Sequence, residues 1–142
     1  MGTTAGSDDI TALQNALAAE HVAVYGYGVA GALLGGADLV NAKADWNAHQ
    51  LARDNLTAML TGLGAAPVAS SPAYDLPFAV STPAAARRLA AELENGVTRA
   101  YLAMVAVSNP DLRFFAAKAM QTAANRAAAW RGSTVAFPGM PG

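Results

Sequence analysis

The sequence predicts an all-α fold, a bundle of four helices with one long crossover between helices 2 and 3. Three observations support this prediction. The 142-residue chain is 54% hydrophobic and 13% charged, and alanine is by far its commonest apolar residue and the best helix former. Apolar residues recur at alternating spacings of three and four in four stretches, as on the buried face of a helix. A proline-rich segment separates the second stretch from the third. The length fits a single domain, residues 1–142.

The first two helices form a predicted hairpin. Helix 1 is expected to begin at Ser7, Asp8 and Asp9, which supply a cap and acidic side chains, and to stop at Gly35 and Gly36. Its buried seam is Ile10, Leu13, Leu17, Glu20, Val24, Tyr27, Gly31 and Leu34. Helix 2 is expected from about residue 38 to 61, closed by Gly62 and Gly64. Its seam is Leu39, Ala42, Trp46, His49, Arg53, Leu56 and Leu60.

The last two helices form a second predicted hairpin. Thr82-Pro83 and Asn109-Pro110 each place a capping side chain before a proline at the first helical position. Helix 3 is expected to reach Val107 and helix 4 to end at Gly132. The expected seams are Leu89, Leu93, Val97, Ala100, Tyr101 and Met104 in helix 3, and Leu112, Ala119, Ala123, Arg126 and Trp130 in helix 4. Residues 135–142 are expected to be non-helical and to lie on the surface.

The segment between the hairpins determines the topology. It contains Pro67, Pro72 and Pro77, and an extended chain rising about 3.1 Å per residue can span a helix of about 36 Å. We therefore expect residues 65–80 to cross the bundle, with Tyr74 and Phe78 packed against helices, which makes helices 2 and 3 parallel. This is the connection of ferritin-like bundles. The alternative, a linker between two domains, leaves each hairpin too small to bury a core.

Six short segments resemble a known family. They are LQNALAAEHVAVYGYG (13–28), AHQLARD (48–54), PAYDLPF (72–78), RLAAELE (88–94), NRAAAW (125–130) and AFPG (136–139). Together they resemble an uncharacterised ferritin-like family of high-G+C bacteria, a domain of unknown function. The resemblance implies a ferritin-like bundle and brings no known reaction.

Polar side chains occupy the predicted core. Glu20, His49, Arg53 and Arg126 lie on seam positions, and Glu94 lies at the edge of the apolar face of helix 3. Because the middles of antiparallel helices lie at similar heights, these side chains are expected to meet in one layer. Buried charges are tolerated when they are paired. The sequence therefore predicts a buried polar network in which Arg53 and Arg126 pair with the two glutamates and His49 is a hydrogen-bonding neighbour.

A metal site is the alternative interpretation of the same residues. Ferritin-like di-iron centres use one Glu from each of two helices and Glu-x-x-His from each of the other two, and Glu20 and Glu94 are candidates for the single glutamates. However, Trp46 stands three residues before His49, and helix 4 has no acid or histidine after Asp111. We therefore predict no metal and no cofactor, while an altered metal site completed by water or a second subunit stays open.

Other chemistry-bearing residues give weaker signals. His21 is expected at the boundary of the core, and Tyr25, Tyr27 and Tyr101 are expected to be core aromatics rather than radical or cofactor tyrosines. The favoured function is a non-enzymatic structural or interaction protein. The alternative is a metal-binding protein or metal-dependent oxidoreductase with an altered carboxylate site.

Composition bears on partners and location. Net charge is −1, and the basic residues are scattered except for the pair Arg87-Arg88, which argues against nucleic acid or an anionic membrane as a partner. The chain contains no cysteine, so it has no disulfide or thiolate site. Its longest uncharged stretch, residues 22–37, spans 16 residues, fewer than the about 20 that cross a membrane. No signal peptide is recognised, and a cytoplasmic location is expected.

Helix 1 is apolar nearly all round. Opposite its seam lie Ala18, Val22, Tyr25, Val29 and Leu33, and such a helix is normally buried on both sides. Its glycines, among them Gly26 and Gly28, indicate close backbone approach. We therefore predict a homodimer through helix 1, with burial of this face by the crossover or the tail as the alternative.

Overall fold

A computed structural model of the chain describes residues 6–132. Within that range every regular element is a helix: α1 (Ser7–Gly31), α2 (Gly36–Gly62), α3 (Pro83–Val107) and α4 (Pro110–Arg131). The prediction of an all-helical chain with four helices is confirmed for this part of the molecule. The prediction for residues 135–142 lies outside the described residues. None of the described helices is both long enough and apolar enough to cross a membrane.

Side-chain caps start the second pair of helices. Thr82 Oγ1 accepts a hydrogen bond from the N–H of Ala85 at 3.1 Å, one residue before α3. Asn109 Oδ1 accepts from the N–H of Leu112 at 3.0 Å in the same position before α4. These bonds satisfy N–H groups that have no partner inside the helix. Both predicted starts are therefore confirmed.

The hairpin between α1 and α2 differs slightly from the prediction. α1 ends at Gly31, before the glycine pair at 35 and 36, because the N–H groups of Leu33 and Leu34 bond carbonyls only three residues back. That tighter turn ends the regular helix. Gly36 has a φ of +58° and already belongs to α2. At the other end of the bundle, Gly132 ends α4 in the left-handed conformation, as predicted.

Contacts made by α1 define the helix directions. α1 packs against both α2 and α3, and α3 packs against α4, whereas α2 and α4 pack more loosely. The defining pairs are Glu20–His49 and Tyr27–Asp45 between α1 and α2, and Glu20–Tyr101 and Tyr27–Glu94 between α1 and α3. In both sets of pairs, the residue number of the partner falls as the residue number in α1 rises, so α2 and α3 each run antiparallel to α1. Since α2 and α3 are each antiparallel to α1, they are parallel to each other.

The crossover follows α1 from one end of the bundle to the other. The side chain of Gln14 donates to the carbonyl of Ala66 at 2.7 Å and accepts from the N–H of Val68 at 2.8 Å. Farther along, the rings of Tyr25 and Tyr74 lie 5.8 Å apart. Phe78 then reaches the core and the guanidinium of Arg88 on α3. The aromatic residues of the segment therefore act as anchors, as the sequence indicated.

The crossover also covers part of the outer face of α1. Three apolar residues of this face are half-buried: Val22, Val29 and Leu33. They pack against the same core cluster as Leu76, Phe78 and Val80 of the crossover. Ala18 on the same face is exposed. This contact accounts for much of the apolar character of that face. The homodimer through helix 1 stays a prediction.

The core consists of two apolar clusters with a polar layer between them. One cluster contains Leu13, Leu17, Leu56, Leu60, Tyr101 and Met104, and the other contains Tyr27, Leu34, Leu89, Leu93 and Trp130. Three charged side chains are buried in the middle of the bundle: Glu20, His49 and Glu94. The layer that separates the two apolar clusters therefore contains ionisable side chains.

Candidate functional site

Three helices each contribute one side chain to the polar layer. Glu20 from α1 and His49 from α2 are 1% exposed, and Glu94 from α3 is 0% exposed. Each residue stands near the middle of its helix, so the antiparallel packing around α1 brings the three to one height. Because an unpaired buried charge is very unfavourable, the arrangement depends on direct hydrogen bonds among them.

His49 joins the two glutamates. Its Nδ1 lies 2.5 Å from Glu20 Oε2 and its Nε2 lies 2.7 Å from Glu94 Oε1. A carboxylate can only accept a hydrogen bond, so a ring with a carboxylate at each nitrogen donates from both nitrogens. His49 is therefore an imidazolium between two carboxylates. Charge-assisted hydrogen bonds of this kind are about twice as strong as neutral ones.

The environment keeps the proton on His49. Burial alone lowers the pKa of His49, because it disfavours the charged ring, but the hydrogen bonds and the negative charges of Glu20 and Glu94 raise it more. The net result is a pKa raised from 6.5 to about 9. The ring thus keeps its positive charge at neutral pH.

A tyrosine closes each end of the array. Tyr101 donates from its hydroxyl to Glu20 Oε1 at 2.9 Å, and Tyr27 donates to Glu94 Oε1 at 2.7 Å. Burial, followed by the charge of the neighbouring glutamate, raises the pKa of both phenols. Both therefore stay neutral and act as donors. The five side chains form a continuous chain of hydrogen bonds across α1, α2 and α3.

Sequence reasoning places Tyr27 and Tyr101 in the apolar core and misses their hydrogen bonds to the glutamates. A signal was present, because Glu20 is followed by Tyr27 and Glu94 by Tyr101 at the same spacing of seven. Seven residues are close to two helical turns, so each pair shares a helix face. Since α1 and α3 are antiparallel, each tyrosine meets the glutamate of the other helix.

Asp45 extends the network toward α4. Its Oδ2 accepts from Trp130 Nε1 at 2.9 Å and lies 3.3 Å from the Tyr27 hydroxyl. Its Oδ1 lies 3.5 Å from Nε of Arg126, whose side chain is 27% exposed. Arg126 therefore pairs with Asp45 rather than with a buried glutamate. Its charge still acts on the network, because it opposes the rise in the pKa of Tyr101.

The position of Arg53 also differs from the prediction. Its side chain is 30% exposed, and its Nε donates to Asp54 Oδ1 at 3.1 Å. Of the five predicted network residues, the structure thus brings together Glu20, His49 and Glu94. It pairs Arg53 and Arg126 with aspartates that the prediction did not include. The physical reason is that His49 and the two tyrosines already supply donors to the glutamates.

The other sequence candidates have structural contacts. His21 Nε2 lies 2.9 Å from the carbonyl oxygen of Val68 in the crossover, and a carbonyl accepts only from a protonated ring nitrogen. The Tyr74 hydroxyl accepts from the N–H of Ser71 at 2.8 Å. The contact of His21 holds the crossover on α1, and that of Tyr74 lies within the crossover.

A ferritin-like di-iron site does not fit the donors in this layer. The layer supplies two carboxylates and one histidine where a di-iron centre has four carboxylates and two histidines, and each ring nitrogen of His49 already faces a carboxylate oxygen. Within residues 6–132, no group of three or more histidine, aspartate or glutamate side chains is arranged to hold a metal ion. One carboxylate oxygen, Glu94 Oε2, is buried and accepts no hydrogen bond from the described part of the chain.

A cleft reaches the network from the side where α2 and α4 pack loosely. Its volume is about 280 Å³, and Glu20, His49 and Tyr101 line its inner end. Alanines of α2 and α4 form its walls, while Lys118 and Arg126 stand at its edge. The network is therefore buried but adjoins a small opening.

Comparison with known proteins identifies the family. Residues 12–142 match a domain of unknown function, DUF4439. Comparison with curated proteins finds no match. Among solved structures, the chain is similar to that of a conserved hypothetical protein, rv2844, from Mycobacterium tuberculosis, with a TM-score of 0.86. The two sequences are 35% identical, and the match covers 89% of this chain and 97% of the other. The chain therefore belongs to the DUF4439 family.

Proposed function

We propose that this chain is a ferritin-like bundle that acts as a non-enzymatic structural or interaction protein, with an ion network where di-iron proteins hold metal. The observation that carries the proposal is the position of His49, which has a carboxylate oxygen of Glu20 2.5 Å from one ring nitrogen and a carboxylate oxygen of Glu94 2.7 Å from the other. A metal ion would have to displace a proton and break a hydrogen bond between buried charges. The parallel α2 and α3 and the crossover along α1 support the ferritin-like assignment.

The network has a structural role in this proposal. Every donor of His49, Tyr27 and Tyr101 is used, and the side chains come from three different helices. A polar layer in which every donor is used fixes the register of the helices, because sliding one helix by a turn, about 5.4 Å, breaks several bonds at once. The bundle would then present a rigid surface to a partner.

Elemental analysis tests the absence of metal. We expect protein expressed in medium supplemented with iron, manganese and zinc to contain far less than one metal ion per chain after gel filtration. The protein should also keep its melting temperature after treatment with a chelator, because no folding energy comes from metal. A stoichiometric metal content would contradict the proposal.

A metal-binding role is the second candidate, and the free oxygen of Glu94 favours it. Glu94 Oε2 is buried without a hydrogen bond, and such an oxygen is a potential ligand. On this alternative, water or a second subunit would complete the site, and a reaction would be that of a metal-dependent oxidoreductase. Glu94→Gln should then abolish metal binding, whereas Asp54→Asn, on the exposed side of α2, should leave it unchanged.

We also propose a homodimer through the part of α1 that the crossover leaves open, where Ala18 and Gly28 are exposed. Light scattering at micromolar concentration should give twice the chain mass. Ala18→Asp should reduce the mass to that of one chain, and Ala124→Asp on exposed α4 is the matched control. A wild-type protein that is monomeric under these conditions contradicts the dimer.

A further inference from the structure

A second cleft lies at the end of the bundle where α3 begins and α4 ends. Its volume is about 550 Å³, and the crossover, α3 and the last turn of α4 enclose it. This volume is within the range of sites for small organic ligands, about 300–1,000 Å³. None of the five side chains in the hydrogen-bonded chain from Tyr101 to Tyr27 lines it; Trp130, which donates to Asp45, is part of its lining.

Positive charge is concentrated in this cleft. Arg87, Arg88 and Arg131 line it together with a single carboxylate, Glu92, although the whole chain has a net charge of −1. The carboxylate of Glu92 accepts from the amide of Asn95 at 3.4 Å. Within residues 6–132, Arg88 and Arg131 form no ion pair with a carboxylate. The cleft therefore has the charge that attracts an anion.

Two of the arginines are held in place by neighbouring elements. The guanidinium carbon of Arg88 lies 4.3 Å from the ring centre of Phe78 in the crossover, a cation–π contact. Arg87 Nη1 lies 3.2 Å from Asp38 Oδ2 of α2. A side chain that is already positioned loses less conformational entropy when it binds a ligand. These contacts thus prepare the cleft for binding.

We propose that this cleft binds a small organic anion, a phosphate monoester or a carboxylate attached to an apolar body. Guanidinium groups bind both kinds of anion through paired N–H donors. The apolar body would contact Pro77, Ala84, Ala91 and Trp130, which form the rest of the lining. This inference goes beyond the structural role proposed above and does not depend on it.

Binding of simple probes to the full 142-residue chain tests the inference. Phenyl phosphate, benzoate and inorganic phosphate are titrated at low salt, with calorimetry and the indole N–H signal of Trp130 in NMR spectra as readouts. We expect saturable binding of phenyl phosphate or benzoate, and the tighter of the two identifies the anionic group. Inorganic phosphate should bind more weakly than phenyl phosphate, because it lacks the apolar body.

Paired variants connect binding to the cleft. The double variant Arg88→Gln/Arg131→Gln should weaken binding at least about tenfold, because both guanidinium groups donate charge-assisted hydrogen bonds to the anion. Arg99→Gln/Arg113→Gln, which removes two exposed arginines elsewhere, should change it little. Equal loss in both double variants overturns the inference. So does the absence of saturable binding up to about 10 mM of every probe, a concentration that fills even a millimolar site.

Discussion

Raising the pH from 6.5 to 9 should destabilise the protein through His49. Burial lowers the pKa of His49, but its two carboxylate partners raise it more, to about 9 in the folded chain. In the unfolded chain, the same ring loses its proton near the ordinary pKa of about 6.5. Between these two pH values the folded state therefore holds one proton more than the unfolded state.

The size of the effect follows from proton linkage. A group whose pKa is raised by folding contributes stability that is complete below the unfolded pKa and is lost as pH rises through the folded pKa. The free energy of unfolding should fall by about 1.4 kcal/mol per pH unit between these limits, or about 3 kcal/mol in total. This is a large part of the about 5–15 kcal/mol that stabilises a typical domain.

Urea denaturation followed by circular dichroism at pH 6.5 and 9 measures the effect. The matched control is the triple variant Glu20→Gln/His49→Leu/Glu94→Gln, which removes the charges and should lack the pH-dependent loss. His21→Asn should retain it, because the raised pKa belongs to His49. The reasoning is refuted if wild type and the triple variant lose the same stability, or if NMR titration gives His49 a pKa near 6.5.

Three further predictions test packing and pairing. In urea denaturation, the Gly26→Ala variant should be less stable than the Gly28→Ala variant by about 1–3 kcal/mol. Both substitutions raise helix propensity, but only the methyl group at position 26 would lie 2.5 Å from a leucine of α3. Equal stabilities of the two variants would contradict the close packing. His49→Ala should lower the free energy of unfolding by about 3–5 kcal/mol, because it leaves buried carboxylates unpaired. Arg53→Ala should lower it by less than about 1 kcal/mol, because the ion pair of Arg53 is exposed. The reverse order in thermal denaturation would support the arginine-based network. Gln14→Ala should speed hydrogen exchange in the crossover, because two hydrogen bonds to it are lost; unchanged exchange would mean that the aromatic anchors alone hold the segment.

Much of the fold could be predicted from short stretches of sequence. Thr82, Asn109 and Gly132 mark helix boundaries because their capping contacts reach only three residues along the chain. The sequence predicts the end of α1 too late, because Gly35 and Gly36 are a stronger stop signal than the tight turn after Gly31. The three prolines between the hairpins indicated the crossover.

The candidate site could be predicted only in part. Glu20 and His49 lie at seam positions and are buried like their apolar neighbours, so spacing alone identifies them. Arg53 and Arg126 also lie at seam positions, but their side chains are partly exposed. The hydrogen-bond partners of Glu20 and His49 are not recognisable from spacing, and charge alone favours Arg53 and Arg126 as partners. The structure instead supplies donors from Tyr27 and Tyr101, and leaves Arg53 with its chain neighbour.

The sequence by itself determined the helices, their caps, the crossover and the presence of ionisable groups in the core, because periodicity and capping act over a few residues. The tertiary structure decided which groups meet. Partner choice depends on the relative height and rotation of three helices, and a difference of one turn, about 5.4 Å, replaces one partner by another. That register is set by the packing of all the helices together, including the contact of Gly26 with Leu93. Spacing along each helix therefore identifies Glu20, His49 and Glu94 as core positions, and only the packed bundle places His49 between the two carboxylates.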